Sequence, residues 1–360
     1  MEHETPPDRE TKPESGRTGR ATVRDVAARA GVSIGTVSRV MTGNTPVSDE
    51  LIALVSAAAA ELGFKPRKRS GPAARARMRL IPFFLTDVAN LLFGHVVNAA
   101  EERLAQFGYT LVVVNTHNSV RREQELLGLL ADPSVVGAIL SFGEESHPGL
   151  GKALRGLGSS PVVMLDRTPP KGIDSVLVDH RGGAFDACSH LIGLGHRRIA
   201  MITAAGHIRP GMERIAGYRQ AHERAGLPVD MRLVRADSIT ADAAFTETEQ
   251  LLRLAERPTA IVTPGSQALG GTLRAINASG LRIPDDISLI CFGDTEMAKV
   301  VQPTVTCVQW DRWQLGRQAA DLLMDRMAGL SSGVRSIVLP TEVILRGSCA
   351  PPRRAEADAD

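Results

Sequence analysis

Residues 22–41 read TVRDVAARAGVSIGTVSRVM. The spacing predicts two short helices joined by a tight turn. Thr22 and Ser33 are placed to cap them, because a hydroxyl there accepts from backbone N–H groups left without partners at a helix start. Gly31 stands where the first helix must stop and the chain reverse, a position that favours positive φ. Val26, Ala27 and Ala30 recur at helical spacing on the first segment, and Val37, Val40 and Met41 on the second. Helices this short are not stable alone, so their apolar stripes must pack on each other and on a third element. Spacing alone leaves two readings: an ordinary αα-hairpin, or a helix-turn-helix whose second helix enters a DNA major groove.

The residue identities narrow the choice. D-V-A-x-x-A-G-V-S-x-x-T-V-S-R-V, from Asp25 to Val40, resembles the DNA-binding headpiece of the lactose-repressor (LacI/GalR) family of bacterial transcription regulators. The resemblance implies that Ile34, Gly35, Ser38 and Arg39 face the groove. Arg39 can donate two hydrogen bonds to guanine or bind a phosphate. Ile34 and Gly35 offer no polar side chain, which leaves a thymine methyl contact and close backbone approach. Thr22, Ser33, Thr36, Thr42 and Ser48 are placed for phosphate contacts, partly through helix N-termini. Helix capping is an equally adequate role for Thr22, Ser33 and Ser48.

Moving outward, Ser48 is placed to cap a third helix reaching about Leu62, with Leu51, Ile52, Leu54, Val55 and Ala58 closing the small core and Gly63 ending it. Residues 65–79, KPRKRSGPAARARMR, hold seven basic residues and no acidic one. By composition this is a solvated linker. The resemblance implies instead a hinge helix that orders on the operator and drives a leucine into the minor groove. Ala73 occupies that leucine's position, directly after Gly71-Pro72. Proline removes a helical donor and its ring disfavours helix for Gly71, although a shorter hinge can start at Pro72. A methyl group is a poor wedge between base steps. Arg67 and its neighbours remain suited to phosphates or a narrow minor groove.

Charge follows the same division. The 360 residues carry a formal charge of +2, but residues 21–79 hold ten Lys or Arg against four Asp or Glu. A basic head on a mildly acidic body fits a nucleic-acid-binding module joined to something else. Cys188, Cys291, Cys307 and Cys349 are scattered without a C-x-x-C, so neither a disulfide framework nor a zinc site is expected. No apolar leader or membrane-length run occurs, which predicts a cytoplasmic protein. Phosphate-loop, metal-ligand and nucleophile-elbow signatures are missing, so no enzyme and no cofactor is expected. Surface or capping roles suffice for His190, His196 and His207.

From Leu80 short apolar runs alternate with amphipathic segments. The runs are 80–85, 110–114, 135–141, 161–166, 198–203, 259–263 and 287–292; helices are expected near 93–107, 120–131, 182–194, 212–226, 241–256, 267–279 and 312–328. Such alternation predicts right-handed βαβ units with parallel sheets covered by helices on both faces. The length suits two similar lobes with ligands bound between them, beyond the strands' carboxyl ends. The fold class is therefore α + α/β: a helix-turn-helix headpiece followed by a two-lobed core. The segments LGHRRIAMI (194–202), ERIAGYRQAHERAGLPVD (213–230) and LRAINASGLRIPDDISLICFGD (273–294) are similar to the same family's effector-binding core, itself akin to periplasmic sugar-binding proteins. The resemblance runs from Thr22 to about Arg346 and implies that the chain crosses between lobes near residues 178, 308 and 338. The expected organisation is a disordered tail (1–20), a headpiece (21–64), a basic hinge or linker (65–79), an effector-binding and dimerisation core (80–346) and a second disordered tail (347–360).

The core departs from the family at its pocket. Gly265 stands where an asparagine usually binds ligand hydroxyls, and Gly293 where an acid does. A site built to bond hydroxyls loses affinity when such groups go. Arg214 matches the family's pocket arginine; Asp87 and Asp166 persist near strand ends; Phe93 and Trp310 fall at cleft-lining positions. The expected effector is thus anionic or flat, held by Arg214 and stacked on Phe93 or Trp310, rather than a neutral sugar. Lobes that bind no small molecule, or that meet a protein partner, remain a second reading, and a solute-binding protein without a DNA role a third. The expected partners are a double-stranded operator, that effector and a second copy of the chain, because one headpiece reads only a half-site.

Overall fold

The computed structural model describes residues 21–42, 48–64, 78–145, 150–151, 154, 160–236, 239–265, 267–330 and 333–353; the side chains at 38, 39, 41, 42 and 49 fall outside the description. Two compact units divide between Ala74 and Arg75.

Among the described residues the first unit holds three helices, α1 (Val23–Ala30), α2 (Ile34–Thr42) and α3 (Asp49–Glu61). Thr22 closes a capping box on α1: its hydroxyl accepts from Asp25 N–H, and the Asp25 carboxylate accepts from Thr22 N–H at 2.7 Å. Those bonds hold the Asp25 carboxyl below its ordinary range. Gly31 ends α1 at φ 63°. Ser33 Oγ accepts from Thr36 N–H at 3.1 Å and starts α2. Ser48 corrects the expectation for α3: it holds the capping position, but its side chain makes no capping bond. The core joins Val26, Ala27 and Ala30 to Val37 and to Val55, Ala58 and Ala59. Ile52 and Leu54, expected in that core, are exposed. The alanine-rich end of α3 packs closely enough to close the core without them.

The second unit has two sheets of six strands each among the described residues. In chain order its elements are β1 (Leu80–Leu85), α4 (Leu92–Ala105), β2 (Thr110–Asn115), α5 (Val120–Leu126), β3 (Ala138–Leu140), β4 (Val162–Leu165), β5 (Asp174–Val178), α6 (His180–Gly193), β6 (Ile199–Ile202), α7 (Arg209–Arg224), β7 (Val234–Arg235), α8 (Ala241–Leu252), β8 (Ala260–Pro264), α9 (Gln267–Ala278), β9 (Ser288–Phe292), α10 (Glu296–Val300), β10 (Thr306–Gln309), α11 (Arg312–Met327), β11 (Ser336–Leu339) and β12 (Glu342–Ile344). The first sheet runs β11-β5-β4-β3-β1-β2 and the second β12-β10-β9-β8-β6-β7. Every pairing is parallel except β10 with β12. Central strands such as β8 and β9 are buried along their whole length, the near-continuous apolar reading that helices on both faces require.

The chain passes between lobes three times. β5 ends in the first sheet, whereas α6 packs Ala184, Ala187 and Leu191 into the second lobe. β10 ends in the second sheet, whereas α11 packs Leu315, Ala319 and Leu323 into the first. β11 and β12 then fall in different sheets. Three expected bounds change. The run 135–141 yields a strand only at Ala138–Leu140, with Val135 making an isolated bridge to Leu80. The helix expected over 120–131 is α-helical to Leu126 and then tightens to a 3-10 turn. The expected C-terminal tail is in fact packed to Arg353. Buried Ser348 accepts from Thr306 N–H at 2.8 Å and donates to Leu289 O, and Ser288 Oγ donates to Ala350 O. His196, assigned a surface or capping role, is buried in the same knot, with Nδ1 2.8 Å from Thr259 Oγ1 and Nε2 3.0 Å from Ala350 O.

Close helix packing in the second lobe depends on Gly271 of α9, where a Cβ would lie 1.9 Å from Ala241 O. Backbone cannot swing aside as a side chain does, so Gly271→Ala forces the two helices apart. The expected result is a loss of about 1–3 kcal/mol, read as a lower urea midpoint with an unchanged slope. A wild-type midpoint would show that the interface yields freely.

Candidate ligand cleft and nucleic-acid interface

In the first unit, α2 turns two of the residues singled out in the sequence toward solvent. Ile34 is 49% exposed and Gly35 is exposed beside it, while Val37 in the next turn is fully buried. Burial of Val37 fixes which face of α2 is outward. Thr22, Ser33 and Thr36 are engaged in the caps described above: the Thr22 hydroxyl also donates to the Asp25 carboxylate at 2.7 Å, and the Ser33 and Thr36 hydroxyls are bonded to each other at 2.9 Å. Ser48 is exposed and, without a capping bond, is the least committed of these hydroxyls. The side chains of Ser38, Arg39 and Thr42, and the whole of Arg67 and Ala73, lie outside the described residues.

In the second unit a cavity of about 130 Å³ opens at the carboxyl ends of the strands, between the lobes. Five residues taken from the sequence meet there: Asp87, Phe93, Asp166, Arg214 and Trp310. Asp87 follows β1, Phe93 opens α4, Asp166 follows β4, Arg214 projects from α7, and Trp310 sits on a crossing segment. The cavity is small for a ligand site and close to the ~150 Å³ that holds one benzene ring.

Its polar centre is a relay across the cleft. Asp166, at φ 50° just after its strand, lies 2.9 Å from His180 Nε2 and accepts from Val178 N–H at 3.2 Å. The other imidazole nitrogen, Nδ1, is 3.4 Å from Arg214 Nη2. A guanidinium can only donate, so Nδ1 accepts and Nε2 carries the proton toward Asp166. His180 is therefore neutral, and burial holds its pKa below the ordinary value. Burial pushes the Asp166 carboxyl upward, but His180 and Arg167 pull harder, leaving it below the usual range. Arg214 is 6% exposed and its guanidinium lies 4.2 Å over the Phe292 ring. Burial lowers it to about 10, with Asp166 opposing and Arg167 assisting. It stays charged at neutral pH.

His180 was not singled out from the sequence. A lone histidine opening a helix carries no pattern; the available signal was its place next to Asp179, at the first crossing. Gly265 and Gly293 go the other way, for neither lines the cavity. A Cβ at Gly265 would sit 2.4 Å from Gly293 O, and one at Gly293 would sit 2.6 Å from Leu92 Cδ2. Gly293, at φ 99°, lets Leu92 of the first lobe seat against the second. These glycines permit close approach of backbone and lobe; they do not present a hollowed clamp. Pro264 and Gln267 line the cavity beside them.

Further contacts join the two lobes. Arg209 N–H, at the start of α7, donates to Glu145 Oε1 at 2.6 Å, and His207 lies 3.7 Å from Glu144. Gln267 Nε2 reaches Asp87 Oδ2 at 3.5 Å. Among the described residues no helix is long and apolar enough to cross a membrane, and no group of three or more His, Cys, Asp or Glu residues is placed to hold a metal ion.

Comparison with known proteins agrees with both units. Residues 22–67 match the family described as bacterial regulatory proteins, lacI family, and residues 188–349 match a periplasmic binding protein-like domain. The chain is 30% identical to the HTH-type transcriptional regulator DegA of Bacillus subtilis (strain 168), over 92% of this chain and 99% of that protein. It is 29% identical to the HTH-type transcriptional repressor CytR of Escherichia coli (strain K12), over 91% and 96%. Among solved structures it is similar to a Lac repressor dimer bound to operator and the anti-inducer ONPF, with 27% identity, coverage of 92% and 100%, and a TM-score of 0.74. A complex of the regulator CelR with cellobiose gives 30% identity, coverage of 91% and 100%, and a TM-score of 0.70.

Proposed function

The chain belongs to the lacI family of bacterial regulatory proteins, and on that premise we propose that it is a cytoplasmic repressor that binds a pseudo-palindromic operator as a homodimer and is switched by a small molecule held between its lobes. It works by binding, not by catalysis. One observation carries the ligand-dependent part of this reading: an interlobe cavity whose polar relay, Asp166–His180–Arg214, takes residues from both lobes. A ligand seated there touches both halves at once, so its binding energy differs between closed and open lobes. That difference is what shifts a two-state equilibrium.

The proposed operator contacts are the first two turns of α2. Ile34 and Gly35 supply apolar contact and close approach, and Arg39 supplies the polar base readout. Thr22, Ser33, Thr36, Ser38, Thr42 and Ser48 bind phosphates and the groove edge. Arg67 and the residues around Ala73 carry the hinge contribution. Arg39→Ala is expected to relax discrimination at one base pair per half-site by roughly 1–3 kcal/mol. The operator is first recovered by genomic pull-down with the full chain, and each position is then varied in an anisotropy titration. A mutant with wild-type discrimination at every position would remove Arg39 from base recognition.

The effector contacts proposed are Asp87, Phe93, Asp166, Arg214 and Trp310, joined by His180. A ligand that binds the full chain must also change its affinity for the recovered operator. Binding without any such change would sink the switching role.

The second copy is proposed to cover the β2 edge of the first sheet. β2 ends the strand order, and Val112 and Val113 are 40% and 39% exposed there, with Phe107 just before the strand 53% exposed. An uncovered apolar edge invites pairing with another chain, and the twofold dimer needed for a palindrome provides one.

A further inference from the structure

Helix α7 starts without a side-chain cap from its own lobe. Its capping position holds Ile208, whose side chain makes no capping bond, and Pro210 in the first turn has no N–H to offer. The start is also held firmly in place. A Cβ at Gly211 would lie 2.1 Å from Ala205 O and 2.6 Å from Ala204 O, so the segment after β6 folds directly over the first turn. The Arg209 N–H is satisfied instead from the first lobe, by Glu145 Oε1 at 2.6 Å. A carboxylate there gains both a hydrogen bond and the positive end of the helix dipole. The Arg209 side chain is occupied elsewhere, with Nη2 3.5 Å from Val178 O and Nη1 3.8 Å from Glu213 Oε1. The bond to Glu145 therefore belongs to the backbone of α7.

Glu145 is anchored on its own side. Phe142 packs into the core of the first lobe with Phe84 and Leu140, and Gly143 N–H donates to the buried Glu123 Oε1 at 2.6 Å. Arg167 donates to Phe142 O. Burial lowers the pKa of that guanidinium, and the charges of Asp166, Glu145 and Glu123 oppose the shift. The Glu145 carboxylate thus keeps a cation within its own lobe whether or not the lobes meet, whereas the start of α7 has this acceptor only when they do. Away from the three crossings, the other polar contacts described across the cleft are longer: 3.5 Å for Gln267 with Asp87 and 3.7 Å for His207 with Glu144. Asp166 with His180, at 2.9 Å, lies at the first crossing, where the lobes stay joined.

We infer that Glu145 is a latch between the lobes: it completes the start of α7 from across the cleft, and separating the lobes leaves that helix end bare. The same helix presents Pro210 and Arg214 to the cavity, so the latch and anything held in the cavity act on one rigid element. The inference names a regulatory contact of the proposed ligand-switched cleft. It rests on that reading for its effect on DNA, while the latch itself is tested without ligand or operator. A charged acceptor at a helix start should shift the ratio of joined to separated lobes about tenfold.

The test is hydrogen exchange at the Trp310 indole N–H, followed by NMR in the full chain. That atom is buried where the cores of the two lobes meet, so its exchange rate scales with the fraction of separated lobes, however small. The other tryptophan of the chain, Trp313, is 42% exposed and serves as an internal reference. Glu145→Ala should speed exchange at Trp310 about tenfold, and Glu145→Gln, which keeps an acceptor without the charge, about threefold. Trp313 should not change in either. Glu213→Gln, which removes a carboxylate from α7 within its own lobe, should leave both rates alone. Low concentrations of urea separate two sources of exchange: lobe separation exposes little surface and gives a nearly flat rate, whereas global unfolding gives a steep one. A wild-type rate at Trp310 in Glu145→Ala, an equal acceleration by Glu213→Gln, or a steep urea dependence of the accelerated rate would each overturn the latch. Operator anisotropy on the same variants keeps the two ideas apart. Faster exchange with unchanged operator affinity would leave the latch standing and remove the coupling of the lobes to DNA.

Discussion

Val113→Asp is expected to convert the dimer to a monomer and weaken binding to the full operator by about 10²–10⁴-fold, because two linked half-site contacts exceed either alone by that factor. Val113 lies on the last strand of its sheet, in register with Phe83 on β1, and is 39% exposed. A carboxylate at that position meets water in the monomer at little cost. In a dimer covered along this edge it is buried without a partner, which few interfaces survive. Sedimentation gives the oligomeric state, and anisotropy on full-site and half-site duplexes gives the binding. Half-site affinity should hold, since the headpiece with its Val26–Val37–Val55 core is untouched. Val112→Asp, on the adjacent position, should act in the same sense. A variant that stays dimeric with full operator affinity would place the interface elsewhere.

The parts of this molecule that sequence made legible are those built on period. Apolar runs and helical stripes located β1, β4, β6, β8 and β9 and all the long helices of the core, because burying both faces of a parallel strand leaves a continuous apolar run; β2 also reads as an apolar run, although it is a largely exposed edge strand. β5 escaped because it opens on polar Asp174 and Ser175, which are buried through bonds to the neighbouring elements instead. β11 and β12 escaped because both are short sheet-edge strands with half-exposed alternation. The cleft divides in the same way. Arg214 and Trp310 stood in recognisable segments. Gly265 and Gly293 are ambiguous in sequence because a missing side chain looks the same whether it empties a pocket or admits a neighbour. Here the neighbour is backbone at Gly265 and Leu92 at Gly293. His180 belongs to no repeat, and only the fold brings it between Asp166 and Arg214.

Asp174 yields the second large effect. Its carboxylate is fully buried and accepts from Arg326 Nε and Nη2 at 2.7 Å each and from Arg335 N–H at 2.7 Å. Asp174→Ala leaves those donors facing an empty space, and breaking a buried pair from one side typically costs about 3–5 kcal/mol. Asp174→Asn keeps an acceptor and should cost less. Burial alone would raise the Asp174 carboxyl, but the bonds from Arg326 and Arg335 outweigh it and hold it below its ordinary value. A depressed folded pKa stabilises above the unfolded value, near 4, and that stabilisation is lost as pH falls through the folded value. The gap between wild type and Asp174→Ala in urea should therefore be full at neutral pH and narrow below about pH 4. A gap independent of pH would mean that packing, not charge, accounts for the loss. The consequence reaches the cleft because of what Asp174 joins. It opens β5, Arg326 closes α11, and Arg335 leads into β11. Each of these elements meets one of the three interlobe crossings at its other end, near residues 179, 311 and 340. The carboxylate thus ties the three roots of the hinge into one body, so that a ligand closing the lobes moves them together. In Asp174→Ala the ligand should still bind while its effect on operator affinity falls, a split that anisotropy with and without ligand resolves.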